Sequence, residues 1–383
     1  MKKILLLDTN FSAKPIYDFL VSIGAEVYVV GGRPDDVLAK SVENYVNLDY
    51  SDVDKVKKIV DRLAIDYIVP GGNDLSYKVC SAVNSEYNFN NIDSVETTEI
   101  INDKRKFREA AININLHVPK IIELDNIAEH LPVIIKPTDS YSGHGITVIS
   151  DLDKNKIKSA INNAIKFSRS QSYIIEEFVQ GQLYSYSAFI ANGNIIDDFI
   201  VAEYCIANKY VVDTSYVVSN FNPEVLEQIR NDIISFAEMH NLVDGLMHAQ
   251  FVYDGRDFWL IELTRRCPGD LYSNLIDYST GFQYTEYYVS PFLNRKIVKS
   301  GYKSKNTFVI RHTITSEKDI YFHSISFNEK INVIDYIPLS ISGDKVRKSP
   351  CSRIGILFLV SDFISEHNNL LNSLINRSLY DII

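Results

Sequence analysis

Glycine is absent where a dinucleotide-binding protein needs it most. The first strand-like run, Lys3 to Leu7, leads into Asp8-Thr9-Asn10-Phe11-Ser12-Ala13. Without glycine in that turn the backbone cannot come close to a pyrophosphate, which sets aside an NAD-type domain. Positive charge is short as well. There are 39 Lys and Arg against 49 Asp and Glu, a net charge of −10, so the cationic face that supplies most nucleic-acid affinity is missing. No apolar run approaches the roughly 20 residues that span a bilayer, and the chain enters a strand directly after Lys2-Lys3. A soluble, unprocessed protein with no membrane partner is therefore expected. Cysteine is scarce: Cys80, Cys205, Cys267 and Cys351 are widely separated and form no metal-ligand or redox pair, which fits reduced thiols in a cytoplasmic compartment. Internal repeats and low-complexity linkers are also lacking.

What is present is ample core. With 383 residues, 46% of them hydrophobic, the chain can bury the cores of two or three subdomains. Strand and helix signals alternate through the first hundred residues: Lys3 to Leu7, a helix over about 14–23, Glu26 to Val30, a helix over about 53–63, then Tyr67 to Val69. Such alternation predicts a parallel sheet with helices on its faces. Pro70-Gly71-Gly72-Asn73-Asp74 closes the last of these strands at its carboxyl end, where ligands gather, or is a plain turn. Asn222-Pro223-Glu224 begins a helix running to about His240, with Val225, Ile229, Ile233 and Phe236 as its core face. The region past Ser300 is rich in strand signals. Four segments are expected: an N-terminal α/β domain over 1–100, a helix and small lid over 101–179, a body over 180–300, and a strand-rich C-terminal subdomain over 301–383.

Chemistry-bearing residues concentrate between 248 and 270. The segments His248 to Tyr253 and Trp259 to Thr264 flank Asp254-Gly255-Arg256-Asp257, a hairpin turn signal, so antiparallel pairing brings Gln250 and Glu262 together. Alternation puts Glu262 and Thr264 on one face, followed by Arg266 and the break Pro268-Gly269. Oxygen donors beside an arginine suit Mg²⁺ held against phosphate; taken alone, an ordinary hairpin with a wet polar face is the simpler reading. Upstream, Val133-Ile134-Ile135-Lys136-Pro137 is a short apolar run ending in a lysine that Pro137 keeps from continuing as a strand, so that the lysine is expected to reach sideways into a cleft. The loop Thr138 to Gly145 then offers small residues and glycines that let backbone N–H groups approach an anion. Tyr173 to Gly181 reads as a strand, carrying Glu176 and Glu177, that runs into a turn.

Taken in order, these residues resemble the ATP-grasp superfamily, in particular its carboxylate-amine ligases and the carbamoyl phosphate synthetase large subunit. The resemblance covers nearly the whole chain. It implies an α/β protein of the ATP-grasp fold: an N-terminal parallel-sheet (pre-ATP-grasp) domain, a small α/β lid and a mixed α+β body. It implies that Lys104 and Lys136 bind nucleotide, that Ser142, Gly143, His144 and Gly145 form the phosphate loop, and that Glu176, Glu177, Phe178 and Val179 form the adenine hinge, one glutamate pointing at the nucleotide. Gln250, Glu262 and Thr264 would hold the metal, and Arg266 and Lys136 would be catalytic. ATP and Mg²⁺, or Mn²⁺ in its place, are the implied cofactors. Three positions depart from the pattern. Gln250 stands for a carboxylate, as in the carbamoyl phosphate synthetase branch, Thr264 stands for an asparagine, and Leu183 stands where an acid meets the ribose.

The implied reaction passes the γ-phosphoryl of ATP to a small carboxylate, possibly that of an amino acid, giving an acylphosphate and ADP, after which an amine displaces phosphate. Positioned cations stabilise the charge that spreads over the transferring group. Arg265, Arg311 and Arg353 are each candidates to bind substrate carboxylate, and His248 and His312 read as satisfied polar groups. Alternatives are a carboxyphosphate-forming enzyme like carbamoyl phosphate synthetase or the biotin-dependent carboxylases, and a non-catalytic ATP-binding module. The partners are small carboxylates and amines, not nucleic acid; a homodimer is left open. On the sequence alone, Gln250→Glu is expected to be tolerated.

Overall fold

The strand Lys3–Leu7 (β1) buries Ile4, Leu5, Leu6 and Leu7. A run that is apolar on both faces needs cover from two layers, which helices flanking a parallel sheet supply. The computed structural model, which describes residues 1–140, 143–301 and 307–383, shows that sheet. β1 pairs in parallel with β2 (Glu26–Gly31) and β4 (Tyr67–Pro70), and β3 (Tyr45–Asn47) completes the order β3-β2-β1-β4. At three residues, β3 is too short to stand out in the sequence. The 70–74 loop leaves the carboxyl end of β4, and Asn73 caps the helix Asp74–Asn84 by accepting from the Ser76 amide at 2.9 Å, leaving Asp74 at the helix start.

A small antiparallel sheet follows, with β5 (Val133–Pro137) between β6 (Thr147–Ile149) and β7 (Tyr173–Glu177). Pro137 is its last strand residue, paired with Tyr173, so the strand extends through Lys136 and does not stop before it. The helix Lys154–Phe167, capped by Asp153, covers the sheet, and Val133, Ile135, Ile149, Ala160, Ala164 and Ile175 give this unit its own core.

The body is built on an eight-stranded sheet. Its strands are β8 (Gln182–Ala191), β9 (Asn194–Tyr204), β10 (Thr214–Val217), β11 (Gly245–Tyr253), β12 (Phe258–Thr264) and β13 (Phe308–Ile314), with β16 (Val333–Pro338) and β18 (Gly355–Ser361), in the order β12-β11-β8-β9-β10-β13-β18-β16. Residues on both sides of position 300 share it. Two small ribbons, β14 (Ile320–Tyr321) with β17 (Lys345–Val346) and β15 (Ile325–Phe327) with β19 (Tyr380–Ile382), lie beyond. One face packs on the helix Pro223–Met239, where Val225, Ile229, Ile233 and Phe236 meet Tyr186, Ala188, Met247, Ala249 and Phe251. The other face joins the core of the N-terminal sheet. Among the described residues no helix is long and apolar enough to cross a membrane.

Candidate functional site

Strand alternation lays the floor of the site. On β11, Met247, Ala249 and Phe251 turn to the helix, so His248 and Gln250 turn the other way, into a cavity of about 1400 Å³. The hairpin pairs Gln250 with Glu262, as expected, and His248 with Thr264. Alternation along β12 is not regular, however. Phe258, Leu260 and Leu263 all pack in the helix-side core, and the register skips Ile261, since Gln250 pairs Glu262 while Phe251 pairs Leu260. This β-bulge is decisive. Residues 258, 260, 262 and 264 share a parity, and in an unbroken strand Glu262 and Thr264 would be buried beside Phe258 and Leu260; one extra residue re-aims both toward the cavity.

Behind Gln250 lies a carboxylate that sequence reasoning missed. Glu203 on β9 stands directly opposite Leu183 on β8, and its Oε2 accepts from Gln250 Nε2 at 2.7 Å. Burial, reinforced by nearby Asp270, pushes Glu203 up to about 7. In sequence it is hidden at the end of the short apolar run Phe199 to Ala202. His248 is buried, with Nδ1 2.8 Å from Ser187 Oγ. Burial and then Arg266 lower it to about 3, so it is neutral. His312 is likewise enclosed, between Thr214 and Tyr380.

Cations enter from the lid side. Lys104 starts the helix Lys104–Asn113, capped by Asp103, and its Nζ lies 3.3 Å from Glu262 Oε1 and 3.1 Å from the Ser140 carbonyl. Lys136 Nζ reaches Glu176 Oε2 at 2.5 Å, while Arg108 Nε lies 2.9 Å from Glu176 Oε1. All three side chains are almost wholly buried. The Glu176 carboxylate is therefore the counter-ion of two buried cations, and it also lines the cavity. Glu177 is tied to the lid as well: its Oε1 accepts from the Lys120 amide at 3.0 Å. All four hinge residues, Glu176, Glu177, Phe178 and Val179, line the cavity. Gly143 and Gly145 adopt φ of +68° and +78°, open to glycine and strained for other residues. A Cβ on Gly143 would strike Tyr210, 2.5 Å from its Cβ, so the loop lies against the 205–212 segment, with His144 stacked on Phe167. Ser142 lies outside the described residues.

Burial lowers Lys136, against the pull of Glu176, to about 8. This predicts a pH effect with a definite sign. Between about 8 and the ordinary 10.5 the unfolded chain holds a proton that the folded chain has lost, so this group's contribution to stability rises with pH across that window. Its contribution to anion binding moves the opposite way. ATP affinity measured by calorimetry is expected to weaken as pH passes 8 without loss of fold, and Lys136→Arg should flatten that decline. An affinity independent of pH between 7 and 9.5 would remove Lys136 from the nucleotide site.

The N-terminal domain closes the far wall. Gly72 and Gly269 touch without side chains: a Cβ on Gly269 would lie 2.6 Å from the Gly72 carbonyl oxygen. That contact seats the 70–74 loop on the turn after β12, so Pro70-Gly71-Gly72-Asn73-Asp74 is part of the site and not a remote turn. Asp74 Oδ1 accepts from Arg266 Nε at 2.8 Å and from Thr264 Oγ1 at 3.0 Å. Burial opposes both charges of this pair, yet Asp74 is held below the usual carboxylate range and Arg266 above its ordinary value, because each outweighs the other's desolvation.

The three arginines named as carboxylate binders separate clearly. Arg265 is buried against Asp93 at 2.7 Å and the carbonyls of Leu246 and Val243, so it is a structural strut. Arg311 is buried too, bonded to the Asp270 carbonyl at 2.8 Å and to Thr313. Arg353 alone lines the cavity, its guanidinium over the Phe11 ring at 5.7 Å. Cys267 is buried packing, and all four thiols are free.

Among the described residues no three His, Cys, Asp or Glu converge as a metal cluster. The donors that do meet are Glu262, Gln250 and Thr264, a hard-oxygen set with a half-exposed carboxylate whose nearest cation, Lys104, stands at 3.3 Å. That composition fits Mg²⁺ sharing its shell with phosphate oxygens. Residues 129–274 match the model of the ATP-grasp domain. The chain carries an ATP-grasp domain. Over 189 residues it is 28% identical to a formate-dependent phosphoribosylglycinamide formyltransferase of Prochlorococcus marinus, covering 46% of this chain and about half, 48%, of that relative. The ATP-grasp fold extends over the full length. An L-amino acid ligase from Bacillus licheniformis superposes with a TM-score of 0.81 at 14% identity, over 100% of this chain and 98% of that one. Phosphoribosylglycinamide synthetase from Anaerococcus prevotii does so with 0.77 at 18%, over 100% and 99%.

Proposed function

We propose that the protein is a cytoplasmic, ADP-forming ligase that activates a small carboxylate, an amino acid among the candidates, as an acylphosphate and joins it to an amine. The observation that carries this reading is convergence. Lys104, Lys136, Glu262, Gln250 and Arg266 come from the lid helix, lid sheet and body hairpin to line one cavity, which continues past Arg266 to Asp270 and Arg353. A triphosphate over the lysines directs its terminal phosphoryl toward Arg266, and the space beyond receives the acceptor. Glu262 with Gln250 and Thr264 would hold Mg²⁺, which would neutralise charge on the phosphates. Arg266, oriented by Asp74, stabilises negative charge on the transferring group and then on the tetrahedral oxyanion formed when the amine attacks. The lid excludes water from the acylphosphate. Arg353 offers a guanidinium at the acceptor end of the cavity.

Nucleotide binding is the first test. ATP with Mg²⁺ at a hundredfold excess over its dissociation constant is expected to add about 2.7 kcal/mol of apparent stability, seen as a raised Tm. A screen of amino acids and small carboxylates for ADP or AMP release then assigns the acceptor. An unshifted Tm with every nucleotide, with and without Mg²⁺, would overturn the reading.

A further inference from the structure

Glutamine at position 250 leaves the oxygen-donor set one negative charge short, and Glu203 stands 2.7 Å behind it. Glu203 is 4% exposed, and among the described residues no cation forms an ion pair with it, an arrangement that costs free energy when the carboxylate is charged. Gln250 and Ser185 bond to it, Asp270 adds repulsion and Arg311, beyond ion-pair distance, adds a weaker attraction. Gln250 Nε2 donates to Glu203 Oε2, so the side-chain carbonyl oxygen of Gln250 is left for a cation. The sheet imposes this arrangement: Ser185 is the cross-strand partner of Gln250, and Leu183, two residues before it, is the partner of Glu203.

We propose that Glu203 is a positioning residue that, through its hydrogen bond with the Gln250 amide, fixes the Gln250 carbonyl toward the metal. This rests on the ATP-dependent reading above. It also reverses an expectation from sequence. Gln250→Glu would set two carboxylates at hydrogen-bond distance, where they must share a proton, so the change should be harmful unless Glu203 is neutralised with it.

Mn²⁺ binding to the full chain, followed by electron paramagnetic resonance at pH 8 with saturating adenylyl imidodiphosphate, tests the pair without turnover. Glu203→Ala is expected to weaken Mn²⁺ by roughly 10- to 100-fold, as loss of an outer-shell partner does. Glu203→Gln, which keeps the shape, should show the lower end of that loss and serves if the alanine variant does not fold. Gln250→Glu alone should also bind Mn²⁺ more weakly than the parent, while the swap Gln250→Glu with Glu203→Gln should return to within about threefold of it. Tighter binding by Gln250→Glu regardless of residue 203, or unchanged binding by both Glu203 variants, would overturn the proposal while leaving the ligase reading intact. A parent protein that binds the nucleotide analogue with no Mn²⁺ would overturn the proposal and the metal site together; one that binds neither would remove the ligase reading as well.

Discussion

Glu176→Ala is expected to lower stability by about 3–5 kcal/mol, the usual cost of stranding a buried charge. Two cations are stranded here. Arg108 and Lys136 both lie against this carboxylate with almost no exposure, and burial already works against the charge of each. The pairing is ionic, since neither Glu176 oxygen makes an aligned hydrogen bond. Arg108 also donates to the Ile261 carbonyl at 2.6 Å, at the bulge that aims Glu262. The loss should therefore appear in urea unfolding and in weaker Mg-ATP stabilisation together. Glu176→Gln keeps the shape and should be less harmful in packing but equally so in charge. An alanine variant within about 1 kcal/mol of the parent, the range of an exposed ion pair, would mean that this triad is not the electrostatic support of the site.

Arg266→Ala is expected to reduce kcat by about 10²- to 10³-fold, the typical effect of losing one positioned donor to a transition state, with little change in ATP affinity. The guanidinium is held by Asp74 at 2.8 Å, and in the proposed reading it acts on the transferring group and not in ground-state nucleotide binding. Asp74→Asn should reproduce part of the loss, because the oxygen that accepts from Arg266 remains while the charge that fixes it is removed. Positional isotope exchange in ATP, run with the carboxylate and without the amine, is expected to show reversible acylphosphate formation. Exchange of labelled pyrophosphate into ATP would instead mean adenylation and a different role for Arg266.

Much of this arrangement was legible in residue order. The strand at Lys3–Leu7, the helix starting at Asn222-Pro223 and the hairpin about Asp254-Gly255 each carry a local signal, either periodic apolar residues or turn chemistry, and each forms where expected. The turn fixes the register from Tyr253 with Phe258 to Phe251 with Leu260, while the pairing of Gln250 with Glu262 needs the bulge as well. Other features were hidden. Nothing local marks Glu176 as a counter-ion, because Arg108 is 68 residues away in sequence and its role depends on how the helix Lys104–Asn113 crosses the lid sheet. Arg265 and Arg353 look alike in sequence, yet one is a strut and the other faces the cavity.

The sequence by itself determined which chemical groups are available and in what order the elements carrying them fold, because caps, turns and apolar periods act over a few residues. The tertiary structure alone decided three things. The bulge at Ile261 sets which face of β12 reaches the cavity, through a register that only the partner strand fixes. The β8–β9 pairing puts Glu203 across from Leu183 and behind Gln250. The fit of Gly72 on Gly269 brings Asp74 to Thr264 across 190 residues of chain. Each depends on contacts between distant segments, whose geometry comes from the packing of whole sheets and is written in no single stretch of residues.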